Sequence, residues 1–173
     1  MMMGNVSRLD KSFFVRDVLD VAPDLPGKDL VLDNNGTKVR MVITEVEAYR
    51  GSEDKACHAC KGRTPRTEIL YHEGGHVYVY FIYGMYWMLN IVTGGIGNPQ
   101  AVLIRGVGEF NGPGKLTKAL GIDRSFYGED VTSSARLWVE DTGLKPEIHT
   151  GPRIGVEYAG DYWKSLPWRY FIR

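Results

Sequence analysis

The chain has few of the features that mark secreted or membrane proteins. It contains only two cysteines among 173 residues, and this closely spaced pair supplies no disulfide framework. No apolar run reaches the roughly 20 residues that a membrane-spanning helix requires. Residues 1–10 also lack the apolar centre of a secretory signal. These absences favour an intracellular protein that is not anchored in a membrane.

An excess of basic residues is missing as well. Lysine and arginine together number 21, as do aspartate and glutamate, so the formal net charge is zero. Any nucleic-acid partner must therefore be bound through a local patch rather than through the overall charge. The length of 173 residues and the hydrophobic content of 43% predict a single domain, residues 1–173, with a substantial core.

Turn signals and apolar patterns predict an α+β fold with a mainly antiparallel sheet, because most of the strands fall in hairpins. Helices are predicted over residues 9–19, over residues 133–139, and from Asn111-Gly112-Pro113 to Gly121. Strands are predicted over residues 30–32, 39–49, 77–83, 86–92, 101–107, 153–158 and 168–172.

Two carboxylates stand beside an aromatic residue on the second predicted strand. Strand residues alternate between faces, so the acidic and aromatic side chains share one face and the aliphatic ones share the core face. The first set is Glu45, Glu47 and Tyr49, and the second is Val42, Val46 and Ala48. The acidic face could simply be solvated. It could also supply a general base, or an acid and base that act on a glycosidic bond.

An aromatic hairpin is predicted in the middle of the chain. Tyr78 and Tyr80 share one face of its first strand, Phe81 fits the core face, and Tyr83 stands at the tip. Aromatic tips can wedge between bases, and aromatic faces can stack on an extruded base. On the return strand Asn90 lies among apolar residues, where an amide needs partners. It could be a structural bridge or could read a base edge.

A cysteine–histidine pattern lies close to zinc-finger spacing, and its members are Cys57, Cys60, His72 and His76. A finger requires its histidines on a helix, whereas Gly74-Gly75 between them costs about 1 kcal/mol of helix stability per glycine. The apolar core of a finger is also missing between Cys60 and His72. No metal site is therefore expected, and the pattern is interpreted as reduced thiols and surface histidines.

Several motifs follow one another in a specific order. They are Glu45-Val46-Glu47-Ala48-Tyr49, His58, Thr64-Pro65-Arg66, Tyr78-Val79-Tyr80, Tyr83-Gly84-Met85-Tyr86, Asn90, Val102-Leu103-Ile104-Arg105, Asn111-Gly112-Pro113-Gly114-Lys115-Leu116 and Arg153-Ile154-Gly155-Val156. From Leu30 to the C-terminus, this series resembles the alkyladenine (3-methyladenine) DNA glycosylase family of the methylpurine type. The resemblance implies a single mixed domain with a curved antiparallel sheet, flanking helices and a protruding wedge hairpin.

The resemblance also implies a role for each residue of the site. Glu47 would be the base that activates water, and Arg105 would help to hold that water. The pocket for the flipped purine would be formed by Tyr49, His58, Tyr80, Asn90 and Ile154, with Asn90 rejecting the exocyclic amine of guanine. Tyr83 would fill the gap in the duplex, with Met85 and Tyr86 beside it. The contacts with DNA phosphates would come from Arg66, Lys115 and Arg153.

The reaction that the resemblance implies is hydrolysis of alkylated or deaminated purines from double-stranded DNA, as part of base excision repair. It would leave an abasic site and need no metal or organic cofactor. The enzyme is expected to be a monomer, cytoplasmic and nucleoid-associated if bacterial. No lysine stands beside Glu47, which disfavours strand cleavage through a Schiff base.

Two other functions stay open from the residues themselves. One is a carbohydrate-directed glycosidase that uses Glu45 and Glu47. The other is a non-catalytic nucleic-acid binding module, in which Tyr80 and Tyr83 are stacking platforms.

Overall fold

Helices and strands follow one another along most of the chain. In this computed structural model, the structure describes residues 6–173. The helices are α1 (Lys11–Phe14), α2 (Val18–Asp24), α3 (Pro113–Leu120) and α4 (Asp161–Ser165). The strands are β1 (Ser7–Arg8), β2 (Asp29–Asn34), β3 (Thr37–Arg50), β4 (Val77–Ile82), β5 (Tyr86–Thr93), β6 (Gln100–Val107), β7 (Phe110–Asn111), β8 (Leu137–Asp141), β9 (His149–Gly151) and β10 (Arg169–Phe171).

The strands of the described chain pair in an antiparallel manner throughout. The main path of the sheet is β1-β8-β2-β3-β6-β5-β4. Outside that path, β10 pairs with β3 and β9, and β7 pairs with β6. Together with the helices, this sheet confirms the predicted α+β fold. None of the helices in residues 6–173 has the length and apolar character needed to cross a membrane.

β3 is the strand on which the sheet depends. It is 14 residues long, and it pairs first with β2 and then with both β6 and β10. Its register with β6 shifts between Ile43 and Val46, which indicates a β-bulge that bends the strand. Glu47 follows directly, opposite Leu103 of β6 and Arg169 of β10. The carboxylate therefore starts from the interior of the sheet and not from its edge.

One face of β3 belongs to the hydrophobic core. Val46 and Ala48 are fully buried there, in a cluster that includes side chains from α1, α2 and α3. The predicted core face is confirmed at these two positions, whereas Val42 is only partly buried. Because side chains alternate along a strand, Glu47 is directed to the opposite face.

The aromatic hairpin is formed by β4 and β5, as predicted. Tyr83 and Gly84 at its turn have φ values of 53° and 60°, as a type I′ turn requires. Positive φ is uncommon for a tyrosine and stores strain. Tyr86 fixes the base of the hairpin to α3, since a Cβ added at Gly114 would lie 2.6 Å from the Tyr86 ring.

Two predicted helices are wrong in part or in full. Residues 9–19 form α1 and the start of α2 in place of one helix, because Asp17 caps a new helix by accepting the Leu19 N–H at 2.8 Å. Residues 133–139 contain no helix, and Leu137 begins β8 instead. There Val139 pairs with Leu30 of β2, so pairing across the sheet overrides the local preference.

Two further predictions are corrected near the ends of strands. Residues 153–158 form no strand, since β9 ends at Gly151 and Pro152 lacks the N–H that would continue its pairing. Phe81 does not enter the core. It is 46% exposed and packs on Trp87, because this end of the hairpin extends past the core.

Candidate active site

The carboxylate of Glu47 is buried and receives donors from three parts of the chain. Its side chain is 0% exposed. Oε1 accepts a hydrogen bond from the Tyr49 hydroxyl at 2.8 Å, and Oε2 accepts one from the Ile154 N–H at 2.6 Å. Nη1 of Arg105 lies 3.5 Å from Oε1. Complete burial excludes the interpretation of Glu47 as part of a solvated strand face.

Arg105 of β6 stands between two carboxylates. Its Nη1 faces Glu47, and its Nε lies 4.0 Å from Oε1 of Glu45. Glu45 is itself bound by Nη1 of Arg169 at 2.8 Å. The Nε of Arg105 is buried and has no hydrogen-bond partner within residues 6–173. The two carboxylates thus differ, because Arg169 binds Glu45 while Nη1 of Arg105 faces Glu47.

The electrostatic environment of Glu47 favours a base. Burial raises the pKa of Glu47, and this is the largest influence on it. The charge of Arg105, the Ile154 N–H, the Tyr49 hydroxyl and the charge of Arg153 act in the opposite direction and limit the rise in pKa. A carboxylate whose pKa is raised in this way accepts a proton more readily than one in water.

A cleft of about 720 Å³ lies beside this carboxylate. The predicted site residues that line it are Tyr49, His58, Arg66, Tyr80, Tyr83, Arg105 and Ile154. Glu47 does not reach the cleft surface, because Tyr49, Arg105 and Ile154 contact it and separate it from solvent. The predicted base therefore lies directly behind Tyr49, Arg105 and Ile154, which are themselves predicted site residues that line the cleft.

His58 is part of an aromatic wall. Its ring centroid lies 4.4 Å from that of Tyr80, and its Nδ1 lies 2.8 Å from the Tyr78 hydroxyl. Burial, together with the charges of Arg66 and Lys61, lowers the pKa of His58 to about 4. Burial likewise raises the pKa of Tyr78 to about 12. Near neutral pH this wall carries no charge of its own.

Asn90 is both structurally bonded and open to a small cavity. It is 3% exposed, and its Nδ2 donates to the carbonyl oxygens of Tyr78 at 3.2 Å and Met88 at 3.4 Å. A cavity of about 40 Å³ lies behind the cleft, and Asn90 lines it together with Tyr49 and Tyr80. The two interpretations of Asn90 are therefore compatible, since the amide nitrogen is anchored while the side chain still borders the pocket.

The three residues predicted to intercalate differ in their exposure at the hairpin tip. Tyr83 is 86% exposed and Met85 is 64% exposed. Tyr86 is only partly exposed, because its ring packs closely against Gly114. Tyr83 and Met85 are available to a partner, whereas Tyr86 supports the hairpin from below.

The three residues predicted to contact phosphate also differ. Arg66 and Lys115 are exposed, and the Arg66 guanidinium lies 5.3 Å from the centroid of the Tyr80 ring. Arg153 is not available to solvent, because its side chain is 0% exposed and binds Asp54 at 2.6 Å. Its placement does not support a phosphate contact.

Two residues of the site were not predicted from the sequence. Asp54 is the buried partner of Arg153, and it lies in a segment whose composition is that of an ordinary polar loop. Tyr158 lines both the cleft and the small cavity, and its hydroxyl donates to the Ala56 carbonyl oxygen at 2.9 Å. No local pattern distinguishes either residue, since both contacts span about a hundred positions.

The cysteines and histidines of the zinc-like pattern have different surroundings. Cys57 is buried and lines the small cavity, and burial raises the pKa of its thiol to about 11. Cys60 is exposed. The ring of His72 lies edge-on to that of His76 and 3.3 Å from Glu68. In the described part of the chain, no three histidine, cysteine or acidic side chains form a group that could hold a metal ion.

A buried, arginine-paired carboxylate behind an aromatic cleft is an arrangement expected of an enzyme that uses a carboxylate as a general base. The family model described as methylpurine-DNA glycosylase (MPG) matches residues 12–110 and 108–173, so the chain belongs to the methylpurine-DNA glycosylase family. This membership agrees with the resemblance found in the motifs.

Curated relatives are similar over most of their length. A protein of Sodalis glossinidius is 47% identical, with 88% of this chain and 92% of the relative covered. One from Psychrobacter cryohalolentis is 45% identical, with 87% and 85% covered. One from Methanocella arvoryzae is 44% identical, with 94% and 91% covered. The curated name of each is 3-methyladenine DNA glycosylase, given as a provisional assignment.

The lowered pKa of His58 can be tested by NMR titration of the imidazole. In the unaltered protein the His58 ring should stay neutral down to pH values near its pKa of about 4. Arg66→Ala should raise the pKa of His58, because the variant removes a positive charge that opposes protonation. Arg63→Ala is the control, since Arg63 is paired with Glu68. A His58 that titrates near 6.5, the ordinary value for histidine, would contradict this description.

Proposed function

We propose that the protein is a monofunctional DNA glycosylase that flips alkylated or deaminated purines out of duplex DNA and hydrolyses the N-glycosidic bond. The product would be an abasic site, and the work would be done by a monomer with a single domain that acts on chromosomal DNA. The observation that carries this proposal is the buried carboxylate of Glu47 beside the aromatic cleft.

The chemistry begins with a water molecule and Glu47. Because Tyr49, Arg105 and Ile154 cover the carboxylate, the proposed reaction requires the water to be admitted past this layer. The carboxylate then takes a proton from the water, whose oxygen bonds to C1′ of the sugar as the C1′–N bond breaks. The departing base keeps the electron pair of that bond. Positive charge develops on the sugar in the transition state, and the nearby anion of Glu47 stabilises it. Arg105 lines the cleft, and its Nη1 lies 3.5 Å from Oε1 of Glu47, so its guanidinium would help to hold the water beside the base.

The aromatic walls suit a cationic base. Alkylation of a purine ring nitrogen places positive charge on the base and makes it a better leaving group. Aromatic faces attract such a cation by about 0.5–2 kcal/mol. Tyr49 and Tyr80 supply these faces, and the low pKa of His58 keeps its imidazole neutral, so the imidazole itself does not repel a cationic base. The same walls can stack on a neutral deaminated purine, which extends the proposed substrates beyond alkylated bases.

The hairpin tip supports extrusion of the base from the duplex. Unpairing and unstacking a nucleotide cost a few kcal/mol. A rigid aromatic wedge can offset part of this cost by filling the gap. Tyr83 is exposed at the rim of the cleft and Met85 lies beside it, while Tyr86 anchors the hairpin to α3. This is the geometry expected of a device that enters the base stack.

Phosphate contacts would then come from a few local cations. Arg66 and Lys115 are exposed, and Lys115 lies in the first turn of α3, where the helix dipole also attracts anions. Arg153 is omitted from this set because it is buried.

The alternatives have less support. A sugar-directed glycosidase would need Glu45 and Glu47 to face one substrate, but Arg169 holds Glu45 at 2.8 Å. A module that only binds nucleic acid would not require a buried carboxylate held by three donors. Membership of the glycosylase family also favours an enzyme.

Glu47→Gln should lower single-turnover base release by at least about 10²-fold, as expected when a general base is removed. Binding to lesion-containing DNA should change little, because the amide keeps the shape of the side chain. Glu45→Gln is the matched control and should retain more activity. If the control were inactive and Glu47→Gln active, the base would have been assigned to the wrong carboxylate.

The same assay should show an acidic limb in its pH profile. Only ionised Glu47 can act as the base, so base release should fall as the pH drops through its pKa. Burial raises the pKa of Glu47, which places this limb above the ordinary value of about 4.3. A rate that is independent of pH down to that value would count against Glu47.

Tyr83→Ala tests the wedge. Loss of an aromatic stack is worth about 1–3 kcal/mol per base, so base release from a correctly paired duplex should fall strongly. A mismatched lesion should be affected less, because its extrusion already costs less. Single-turnover rates on both duplexes give the comparison, with Tyr162→Ala, at another exposed tyrosine, as the control. Equal losses on the two duplexes would remove the wedge role.

Asn90→Ser tests the proposed rejection of guanine. The shorter side chain should make room for the exocyclic amine, which adenine lacks, and so raise release of guanine relative to hypoxanthine. Both rates are measured under single-turnover conditions, with circular dichroism to verify folding. An unchanged ratio in a folded variant would make Asn90 a purely structural amide.

A further inference from the structure

A buried ion pair behind the cleft joins two distant parts of the chain. Nη1 of Arg153 binds Oδ2 of Asp54 at 2.6 Å, and Nη2 binds Oδ1 at 3.0 Å. Both side chains are 0% exposed. The geometry is that of a bidentate fork, the arrangement for which arginine is better suited than lysine.

The same guanidinium makes further contacts around the Glu47 site. Nη1 donates to the Ala48 carbonyl oxygen at 3.0 Å, and Nη2 donates to the Trp163 carbonyl oxygen at 3.2 Å. Its carbon lies 4.9 Å from the centroid of the Tyr49 ring and 5.0 Å from that of Trp168. Both terminal nitrogens of the Arg153 guanidinium are therefore hydrogen-bonded, and the rings of Tyr49 and Trp168 pack against it.

These contacts hold both residues of the hydrogen bond between the Ile154 N–H and the Glu47 carboxylate. Ala48 follows Glu47 in the chain, and Ile154 follows Arg153. The Ile154 N–H donates to Oε2 of Glu47 at 2.6 Å, and Tyr49, which Arg153 stacks against, donates to Oε1 at 2.8 Å. The Arg153 side chain thus fixes the backbone at Ala48, next to the acceptor Glu47. It also fixes the backbone of the donor Ile154 and the ring of the donor Tyr49.

Asp54 completes this arrangement. Its carboxylate also accepts the N–H groups of Arg50 at 3.0 Å and Ala56 at 3.0 Å, so it fastens the turn that follows β3. The pair consequently connects the end of β3 to the segment that carries Ile154.

We propose that Asp54 and Arg153 are a pair of positioning residues for base release, which hold the Ile154 N–H and the Tyr49 hydroxyl on the two oxygens of Glu47. This inference rests on the proposed function, in which Glu47 is the base. Neither residue needs to touch the substrate. The pair acts through the orientation and ionisation of the Glu47 carboxylate.

Other charged and titratable groups also surround Glu47. They are Glu45 and Tyr49 on β3, Tyr80 on β4, Arg105 on β6, Arg169 on β10, and Asp54 after β3. Among them Arg105 opposes the effect of burial on the pKa of Glu47 more than Arg153 does. Removing Arg153 should therefore shift the pKa of Glu47 upward without abolishing its ionisation.

Two substitutions separate the charge of Arg153 from its geometry. Arg153→Met removes both the charge and the fork, whereas Arg153→Lys keeps the charge and loses the fork. Single-turnover base release should fall about 10–100-fold in both variants, as for other residues that orient a reacting group through hydrogen bonds. Both variants should move the acidic limb upward, because both loosen the Ile154 N–H and the Tyr49 hydroxyl, which lower the pKa of Glu47. Arg153→Met should move it further, because it also removes the positive charge. Affinity for lesion DNA should be nearly unchanged.

Arg136→Met is the control. Arg136 pairs with Glu129 at 2.9 Å, away from the cleft, so this variant should keep the rate and the pH profile. A folded Arg153→Lys protein with the rate of the unaltered enzyme would overturn the proposal. So would an Arg153→Met protein with an unmoved acidic limb. If Arg153→Met fails to fold, the rate of Arg153→Lys decides alone.

A second measurement keeps the two hypotheses apart. The ¹³C resonance of the Glu47 carboxyl, assigned by its loss in Glu47→Gln, gives the pKa directly and needs no activity. A higher Glu47 pKa in Arg153→Met than in the unaltered protein supports the positioning of Glu47 by Arg153, even if no base is released. An unaltered enzyme without base release contradicts the proposed function, and an unchanged Glu47 pKa contradicts the inference.

Discussion

The buried charge of Glu47 is the constraint around which the rest of the structure is arranged. An isolated carboxylate cannot be removed from water without a large penalty, unless donors and countercharges replace its hydration. Here they arrive from three separate places: Tyr49 on the same strand, Arg105 on β6 and the backbone of Ile154. The sheet order and the course of the C-terminal segment bring these donors together around Glu47. The fold is therefore needed to offset the cost of burying this carboxylate.

The hairpin shows the opposite balance between packing and exposure. Tyr83 is exposed and has a strained backbone, while Tyr86 at the base of the same turn is pressed onto Gly114. An apolar ring in water gains nothing for folding, and positive φ costs energy at a tyrosine. The strained turn is tolerated because the packing of Tyr86 on α3 stabilises the base of the hairpin. A wedge requires a fixed base and an exposed tip, since a flexible tip would lose conformational entropy on insertion.

Local patterns predicted much of this arrangement, and long-range contacts were the part that they could not predict. The alternation of β3 identified the core face and placed Glu47 beside Tyr49, because strand geometry is a nearest-neighbour property. The pairing of Arg153 with Asp54 spans 99 positions and leaves no periodic signal. Because of this pairing, Arg153 is buried, whereas the sequence had predicted it to contact phosphate. The predicted helix over residues 133–139 was wrong for a related reason, since β2 is a distant pairing partner with which the residues from Leu137 form a strand.

Zero net charge has a consequence for how such an enzyme would search DNA. Non-specific affinity comes mainly from cations that displace counterions from phosphates. With 21 basic and 21 acidic residues the overall charge provides no general attraction for the duplex, and the proposed phosphate contacts would depend on exposed local cations such as Arg66 and Lys115. Binding energy would then be concentrated where an extruded base meets Tyr49, Tyr80 and His58. Intact DNA, which keeps its bases stacked, would be released quickly, so that discrimination arises from the aromatic cleft more than from electrostatic attraction.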